Sequence, residues 1–540
     1  VSEIKKKCLC DVDTDRVCIS SQRWKKEVKD LWKDLLLNQF HDVLPGTSIA
    51  MVYEDSNRML SHVLTRGNEL ISQIISAMIY NSDTTEQHIY FNPTGFYRNL
   101  SAELSVALLR EGKSIDIPPF GLCTLPASDI SSVGVTDQQL NTVKGVSISE
   151  ISSGFILENS LIRVTISHTG GVLSLIDKRL NKVSEKTING KQCSDREVIG
   201  SHDDEAEAVG NNLILYEDIP FFWDAWDTMA YHLMSGVSLN VNPKSISATA
   251  LSQGQSEIPP NKRRRKMLST TTSHSFFTDV KLNRIGVCVI LSGWGGDTRS
   301  KITQRISIGD NSALIDFDTS VEWYENRKLL KVEFPLSVRS SKASYEIQFG
   351  VIQRPTHTNT PFDAAMFEVC GHRFSDLSED DYGVALLNDS KYGHSCRNNT
   401  LCLTLLRSPK SPDPECDMEI HHFKYALLPH LNSSLLSGGV IQAANIMNSP
   451  IFGPLQSSIS TSNKHFTDVF NAFQSEWIIL PVQSSLVLDT VKVSEQENDI
   501  ILRFYESVGR RGSVNVRLHS SIGHLIKCVY ACNANEKVLY

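Results

Sequence analysis

The sequence predicts an α+β multidomain protein, with an N-terminal long-helix bundle followed by mainly antiparallel β-sandwich domains. Three observations carry that expectation. Apolar residues recur with a helical period through two long N-terminal stretches. Beyond Tyr80 they alternate, or run together, over short segments bounded by Gly, Pro, Asn and Ser, as strands do. No helical pattern of about ten residues or more recurs there with the regularity a βαβ fold needs. With 540 residues, the chain has room for roughly two to four domains of ~100 to 200 residues each.

The first helical stretch runs from Gln22 to Phe40. Trp24, Val28, Leu31, Trp32, Leu35, Leu36 and Phe40 fall at the 3.6-residue spacing of one amphipathic face. Leu44-Pro45-Gly46 breaks the pattern. Thr47 or Ser48 is placed to cap a second helix, whose stripe runs from Ile49 through Val52, Met59, Leu60, Val63, Leu70, Ile71, Ile74 and Ile75 to Ile79. Two long helices joined by a tight turn pair antiparallel, and their remaining apolar surface asks for at least one more helix. Residues 1–85 are therefore assigned to the bundle. Strand signals follow at 88–91, 102–109, 162–167, 287–291, 313–317 and 500–505. The stretch 125–142 reads as a linker, so 86–135 is assigned to a small β-sandwich domain and 136–540 to a large C-terminal β-supersandwich region.

Composition narrows the function. The 53 Lys and Arg residues against 61 Asp and Glu give a formal charge of −8, which offers no general basic field for nucleic acid. The one dense basic run, 259–266, reads as an exposed hairpin loop, with a polyanion contact as the competing reading. No window approaches the ~18 uninterrupted apolar residues of a membrane-spanning helix. The 12 cysteines are scattered without a CxxC pair, which fits reduced thiols in a reducing compartment. Sequons at Asn99, Asn388, Asn398 and Asn432 do not decide the compartment. Residues 1–20 begin with Val and carry neither signal-peptide nor transit-peptide character, so the chain reads as a piece of something longer. The glycines of Ser292-Gly-Trp-Gly-Gly-Asp297 lack a GK[ST] ending and read as a β-turn.

Two short segments carry chemistry. Asn38-Gln-Phe-His41-Asp42-Val-Leu-Pro-Gly-Thr47 lies at the junction of the two helices. On spacing alone, His41 is a cation favoured in a last helical turn and Asp42 is a turn residue. Trp223-Asp224-Ala225-Trp226-Asp227, followed by Tyr231 and His232, offers aromatic faces for a pyranose ring and carboxylates for its hydroxyls. The same five residues also read as a buried aromatic core strand flanked by turn carboxylates.

The phrase LLLNQFHDVLPGTSI resembles the central helical region of glycoside hydrolase family 38 α-mannosidases, in their cytosolic and vacuolar subclass. Similar words follow in order: ENSLIRVTI, GGVLSLIDK, GNNLILYEDIPFFWDAWD, LLKVEFPLSVRSSKASYEIQFGVIQRPTHTNT, FEVCGHRFSDLSEDDYGVALLNDSKYG and FKYALLPH. The resemblance implies a cytoplasmic, retaining, metal-dependent exo-α-mannosidase that acts on mannose-containing oligosaccharides and holds one Zn or Co ion. It implies that an N-terminal α/β-barrel supplies the nucleophilic Asp, the acid/base Asp and three metal ligands. The fourth ligand is then His41, with Asp42 accepting the terminal sugar's hydroxyls, and Trp223, Asp224, Trp226 and Asp227 are expected as further substrate contacts. The family's early His-x-Asp pair and its nucleophile region are not found in these 540 residues. No catalytic carboxylate is therefore expected in this chain, which should be inactive by itself and partnered by the barrel, while a homo-oligomer stays open. The competing function is a non-catalytic carbohydrate-binding or scaffold protein that retains the β-domains. Arg354-Pro-Thr-His357 and His372-Arg373 are similar to family words as well, and are read as packing or domain docking.

Overall fold

The helical periodicity becomes two helices in a computed structural model, α1 (Asp13–Leu37) and α2 (Ala50–Met78). The structure describes residues 13–78, 86–100, 115–126, 145–179, 195–199, 209–240, 271–279, 284–293, 297, 299–458, 478–479, 485–495, 499–511, 516–518, 526 and 528–539. The first helix starts earlier than its apolar stripe. The pair is antiparallel. Glu27 bonds Arg66 across the seam, and the Asn38 amide reaches Met59 Sδ at 3.7 Å, so earlier positions on α1 face later ones on α2. Leu31 and Leu70 are buried in the helical hairpin. Val28, Trp32, Leu36 and Phe40, spaced four apart, form an outward stripe that is 39%, 55%, 60% and 55% exposed. A third long helix that would cover it is not among the described residues. None of the described helices is long and apolar enough to cross a membrane.

The β region is built of antiparallel sheets. The nine-stranded sheet runs, in spatial order, Thr271–Asp279, Arg284–Ser292, Lys301–Gly309, Ile315–Glu322, Ile420–Leu431, Tyr382–Asn388, Phe374–Ser378, Lys342–Ile347 and Gly350–Pro355. A six-stranded sheet contains Asn212–Glu217, Lys328–Pro335 and Thr400–Arg407, and a five-stranded sheet runs from Ser147–Ile151 to Arg196–Ile199. One continuous core joins all three, with Phe155, Val164, Leu213, Val287, Ile306, Phe317, Phe334 and Tyr425 among its members. Period-2 alternation explains the assembly: in Ile162–Ser167, residues 162, 164 and 166 are buried. Each such aliphatic or aromatic side chain contributes about 1.5–3 kcal/mol by leaving water.

Strand pairing crosses the boundary expected at 135. Glu86–Phe91 lies between Leu122–Pro126 and Phe452–Ser458, so the small sheet takes one strand from far along the chain. Gly453, at φ +134°, allows that approach, since a Cβ there would sit 2.5 Å from the Ile89 carbonyl oxygen. The expected strand at 102–109, the basic run 259–266 and most of the linker 125–142 lie outside the described residues, as does the centre of the Ser292–Asp297 turn.

A polar cluster is sealed inside the apolar core. The Tyr425 hydroxyl donates to Asn211 Oδ1 (2.6 Å) and accepts from Gln304 Nε2 (2.7 Å). Asn211 Nδ2 donates to Gln304 Oε1 (2.6 Å) and to the Gly170 carbonyl (2.9 Å). Gln304 and Tyr425 belong to the nine-stranded sheet, Asn211 opens a strand of the six-stranded sheet, and Gly170 sits in a turn of the five-stranded one. Replacing Tyr425 with Phe keeps the packing but leaves Asn211 Oδ1 buried without its donor. Urea denaturation should show a loss of ~1–3 kcal/mol for Tyr425→Phe; an unchanged midpoint would mean that the cluster does not bind the sheets together.

Candidate functional site

The turn between α1 and α2 is fixed by its own hydrogen bonds. After Leu37 the backbone tightens, with Phe40 N–H bonding the Leu37 carbonyl at 3.2 Å. Pro45 has no N–H to continue the helix, and Gly46 takes φ +81°, where a side chain would be strained. Thr47 and Ser48, expected as caps of α2, turn back instead: Thr47 Oγ1 donates to Asp42 Oδ1 (3.0 Å) and Ser48 Oγ donates to the Asp42 carbonyl (2.8 Å). The Tyr53 hydroxyl accepts from Ser48 N–H at 2.7 Å. Asp42 is thereby held at both its carboxylate and its carbonyl.

His41 projects from this turn with its side chain 78% exposed and Nε2 3.2 Å from Asp42 Oδ2. The Phe40 ring lies 4.4 Å from the imidazole, centre to centre. An exposed imidazole on a rigid turn keeps a lone pair available, and the neighbouring carboxylate presents acceptor oxygens beside it. A cavity of about 510 Å³ adjoins the turn through Gln39 and Leu44. Its opposite walls include His372, Lys391, Tyr392 and Tyr505. Arg373 also lines it, but that guanidinium is spent on a fork to Glu346 (2.5 and 2.9 Å) and on Asn445 (2.8 Å). Burial works against the Arg373 charge, and the Glu346 pair outweighs it, so its pKa is raised. Arg354 likewise donates to the Cys370 carbonyl (2.6 Å) and lies over the Tyr345 ring.

The aromatic segment is a surface turn rather than a core strand. Trp226 N–H and Asp227 N–H both bond the Trp223 carbonyl (2.8 and 2.9 Å), and Trp223 takes φ +54°. Phe221, Phe222, Trp223 and Trp226 are 75%, 75%, 70% and 48% exposed. The two indoles meet edge to face at 6.0 Å, and Phe221 meets Tyr231 at 5.5 Å. Asp224 is turned inward: its Oδ2 accepts from Lys410 N–H (2.9 Å), while Oδ1 is buried without a partner. His232 is buried too, its Nδ1 2.7 Å from the Met229 carbonyl, and desolvation pushes its pKa down. The apolar letters of the segment resemble a core strand, but the carboxylates and the αL residue bend it into a turn and leave the rings outside.

Arg407, which no sequence signal singled out, fastens this turn. Its guanidinium bonds Asp218 Oδ2 (2.5 Å) and the carbonyls of Asp224 (2.8 Å), Ala225 (3.0 Å) and Asp227. Asp218 follows Asn212–Glu217 and Arg407 ends Thr400–Arg407, the two strands that flank Lys328–Pro335 in the six-stranded sheet, so the sheet itself positions the turn. The segment 408–418 then leads from the aromatic turn toward the helical one. Ala225 N–H bonds the Ser411 carbonyl (3.1 Å). Burial raises the Tyr53 pKa, and the nearby Asp417 charge adds to it.

A helical hairpin followed by these sheets is the arrangement of the middle and C-terminal domains of a glycosyl hydrolase. Residues 12–78 match "Alpha mannosidase middle domain", 157–415 match "Glycosyl hydrolases family 38 C-terminal domain", and 485–539 match "Glycosyl hydrolases family 38 C-terminal beta sandwich domain". The chain belongs to glycosyl hydrolase family 38. It is similar to Alpha-mannosidase 2C1 of Homo sapiens, 34% identical over 506 residues that make up 92% of this chain and 41% of that protein. It is 31% identical to Alpha-mannosidase G of Dictyostelium discoideum, over 94% of this chain and 45% of that one. The chain thus spans about two fifths of the length of these relatives. A crystal structure of an α-mannosidase from Enterococcus faecalis shares the fold at TM-score 0.63 and 12% identity, covering 94% of this chain and 60% of that one.

Removing the Arg407 fork should loosen the aromatic turn without unfolding the sandwich. Arg407→Ala is expected to make proteolysis near 221–227 faster than in the parent while the unfolding free energy from urea denaturation falls by only ~1.5–3 kcal/mol, the scale of charged hydrogen bonds. Unchanged cleavage there would assign the turn's shape to its own backbone bonds.

Proposed function

We propose that the chain is the helical and β-sandwich portion of a retaining, metal-dependent α-mannosidase that removes terminal α-mannosyl residues from oligosaccharides in the cytoplasm. The observation that carries this reading is the His41–Asp42 pair, an exposed imidazole beside a half-buried carboxylate on a turn locked by Thr47 and Ser48. The donor chemistry fits a divalent ion: an imidazole with little cover from its own chain can be a ligand, provided carboxylates and another imidazole come from elsewhere in the polypeptide. His41 would hold the ion, which when bound orients two adjacent sugar hydroxyls and supports distortion of the ring. Asp42 accepts hydrogen bonds from those hydroxyls, and these bonds strengthen as positive charge develops on the ring.

Trp223 and Trp226 offer ring faces for further sugar units, with Asp227 at their edge as a hydroxyl acceptor. Asp224 acts by holding the turn. No nucleophile is assigned within these residues, and the 540-residue chain alone is proposed to lack turnover. Free thiols at Cys123, Cys288, Cys370, Cys396, Cys402 and Cys416 suit a reducing compartment. The exposed indoles would also serve a non-catalytic carbohydrate-binding protein, which is the second reading.

The two readings separate in the full polypeptide. His41→Ala should lose metal and activity together. Asp42→Asn should keep its metal while kcat/KM falls roughly ten- to hundredfold, as loss of a charge-assisted bond of about 1.5–3 kcal/mol requires. Metal analysis and turnover on an aryl α-mannoside measure both. Equal metal loss in the two variants would refute the division of roles, and a full polypeptide without turnover would favour the binding protein.

A further inference from the structure

On the far strands of the sandwich, three side chains converge that the proposed mannosidase site does not use. Glu150 lies on the edge strand Ser147–Ile151 of the five-stranded sheet, and His274 lies on the edge strand Thr271–Asp279 of the nine-stranded sheet. His168 follows directly after the strand Ile162–Ser167. One ligand atom from each of the three lies within 4.8 Å of the other two. We infer that Glu150, His168 and His274 form a binding site for a divalent transition-metal ion of the zinc type, which ties the free edges of two sheets together.

Four features of the site support this. First, the donor set is right: two imidazoles and one carboxylate bind Zn²⁺ with a fourth position left to water, and imidazole selects against Mg²⁺ and Ca²⁺. Second, the imidazoles are held in place. Phe155, buried in the core, meets the His168 ring at 5.1 Å and the His274 ring at 5.0 Å, both edge to face, and the two imidazoles stand 5.2 Å apart at 32°. Third, His168 Nδ1 is buried with no hydrogen-bond partner, a position that costs stability unless something ligates it. Fourth, Glu150 and His274 are exposed, so an ion can enter and the two can close on it by rotating about their side-chain bonds.

The placement gives the ion a structural task. The strand Thr271–Asp279 pairs only with Arg284–Ser292 among the described residues, and Ser147–Ile151 pairs only with Gly154–Glu158. Among those residues each has one open edge, and the three ligands span from one to the other. A bound ion would clamp these edges as a hydrogen-bonded strand cannot, because the two belong to different sheets.

Titration of the chelator-stripped 540-residue chain with ZnCl₂ tests the site. About one equivalent should bind saturably, the thermal transition should rise on binding, and Co²⁺ should develop intensified visible bands in place of those of its aqua ion. His274→Ala and Glu150→Gln alter exposed side chains, so circular dichroism should match the parent. Each should weaken Zn²⁺ binding by at least about tenfold, since loss of even a partner of a metal ligand costs that much. His41→Ala should leave this binding unchanged, which separates the site from the helical turn. The absence of saturable binding, a loss under tenfold in either variant, or a loss on His41→Ala instead would overturn the inference.

Discussion

The sealed polar cluster of Asn211, Gln304 and Tyr425 is the constraint on which the arrangement of the sheets depends. An apolar core alone tolerates sliding of one sheet over another, because dispersion and burial have no direction. Three buried side chains that satisfy one another do not tolerate it, since any shift leaves donors and acceptors unpaired in a medium that cannot replace them. Asn211, held at φ +51°, starts the strand Asn212–Glu217 at a set position. Six residues later that strand delivers Asp218 to Arg407, and the aromatic turn follows. The location of the exposed indoles is thus an indirect result of hydrogen bonds made deep in the sandwich.

Much of the architecture could be read from residue patterns. The apolar stripes named both helices, to within a few residues for α2 (Ala50–Met78) and with a late start for α1. Alternation found Ile162–Ser167, whose buried residues fall at every second position, and a short apolar run found Ile500–Glu506, which is half-buried along nearly all its length. What alternation could not find was partnership. Nothing in the letters of Phe452–Ser458 says that it pairs with Glu86–Phe91, since pairing across such a separation is decided by the fold as a whole.

The site residues divide in the same way. The turn that carries His41 and Asp42 was placed by a breaker that follows a helical stripe, while the roles expected of the two residues came from the family resemblance and not from spacing. The Trp223–Asp227 segment was ambiguous because aromatic residues belong equally to cores and to binding surfaces, and only the positive φ of Trp223 and the inward Asp224 resolved it. Arg407 was invisible, as an arginine at a strand end gives no hint that Asp218 and three residues of a distant turn will converge on it. Glu150, His168 and His274 were invisible too, being scattered over two strands and a turn and brought together only by the packing of two sheets.

The helical hairpin presents His41 and Asp42, the proposed ligand and acceptor, while the sandwich fixes the aromatic turn. The relatives are longer, and the remaining ligands are proposed to lie in the part of the polypeptide that these 540 residues do not span. Anomalous diffraction at the zinc and cobalt edges from crystals of the full polypeptide bears on this most directly. The account predicts an ion at about 2.0–2.1 Å from a ring nitrogen of His41, with an Asp42 oxygen within hydrogen-bonding reach of a bound mannose. An ion in the substrate cleft with His41 turned away from it would contradict the assignment.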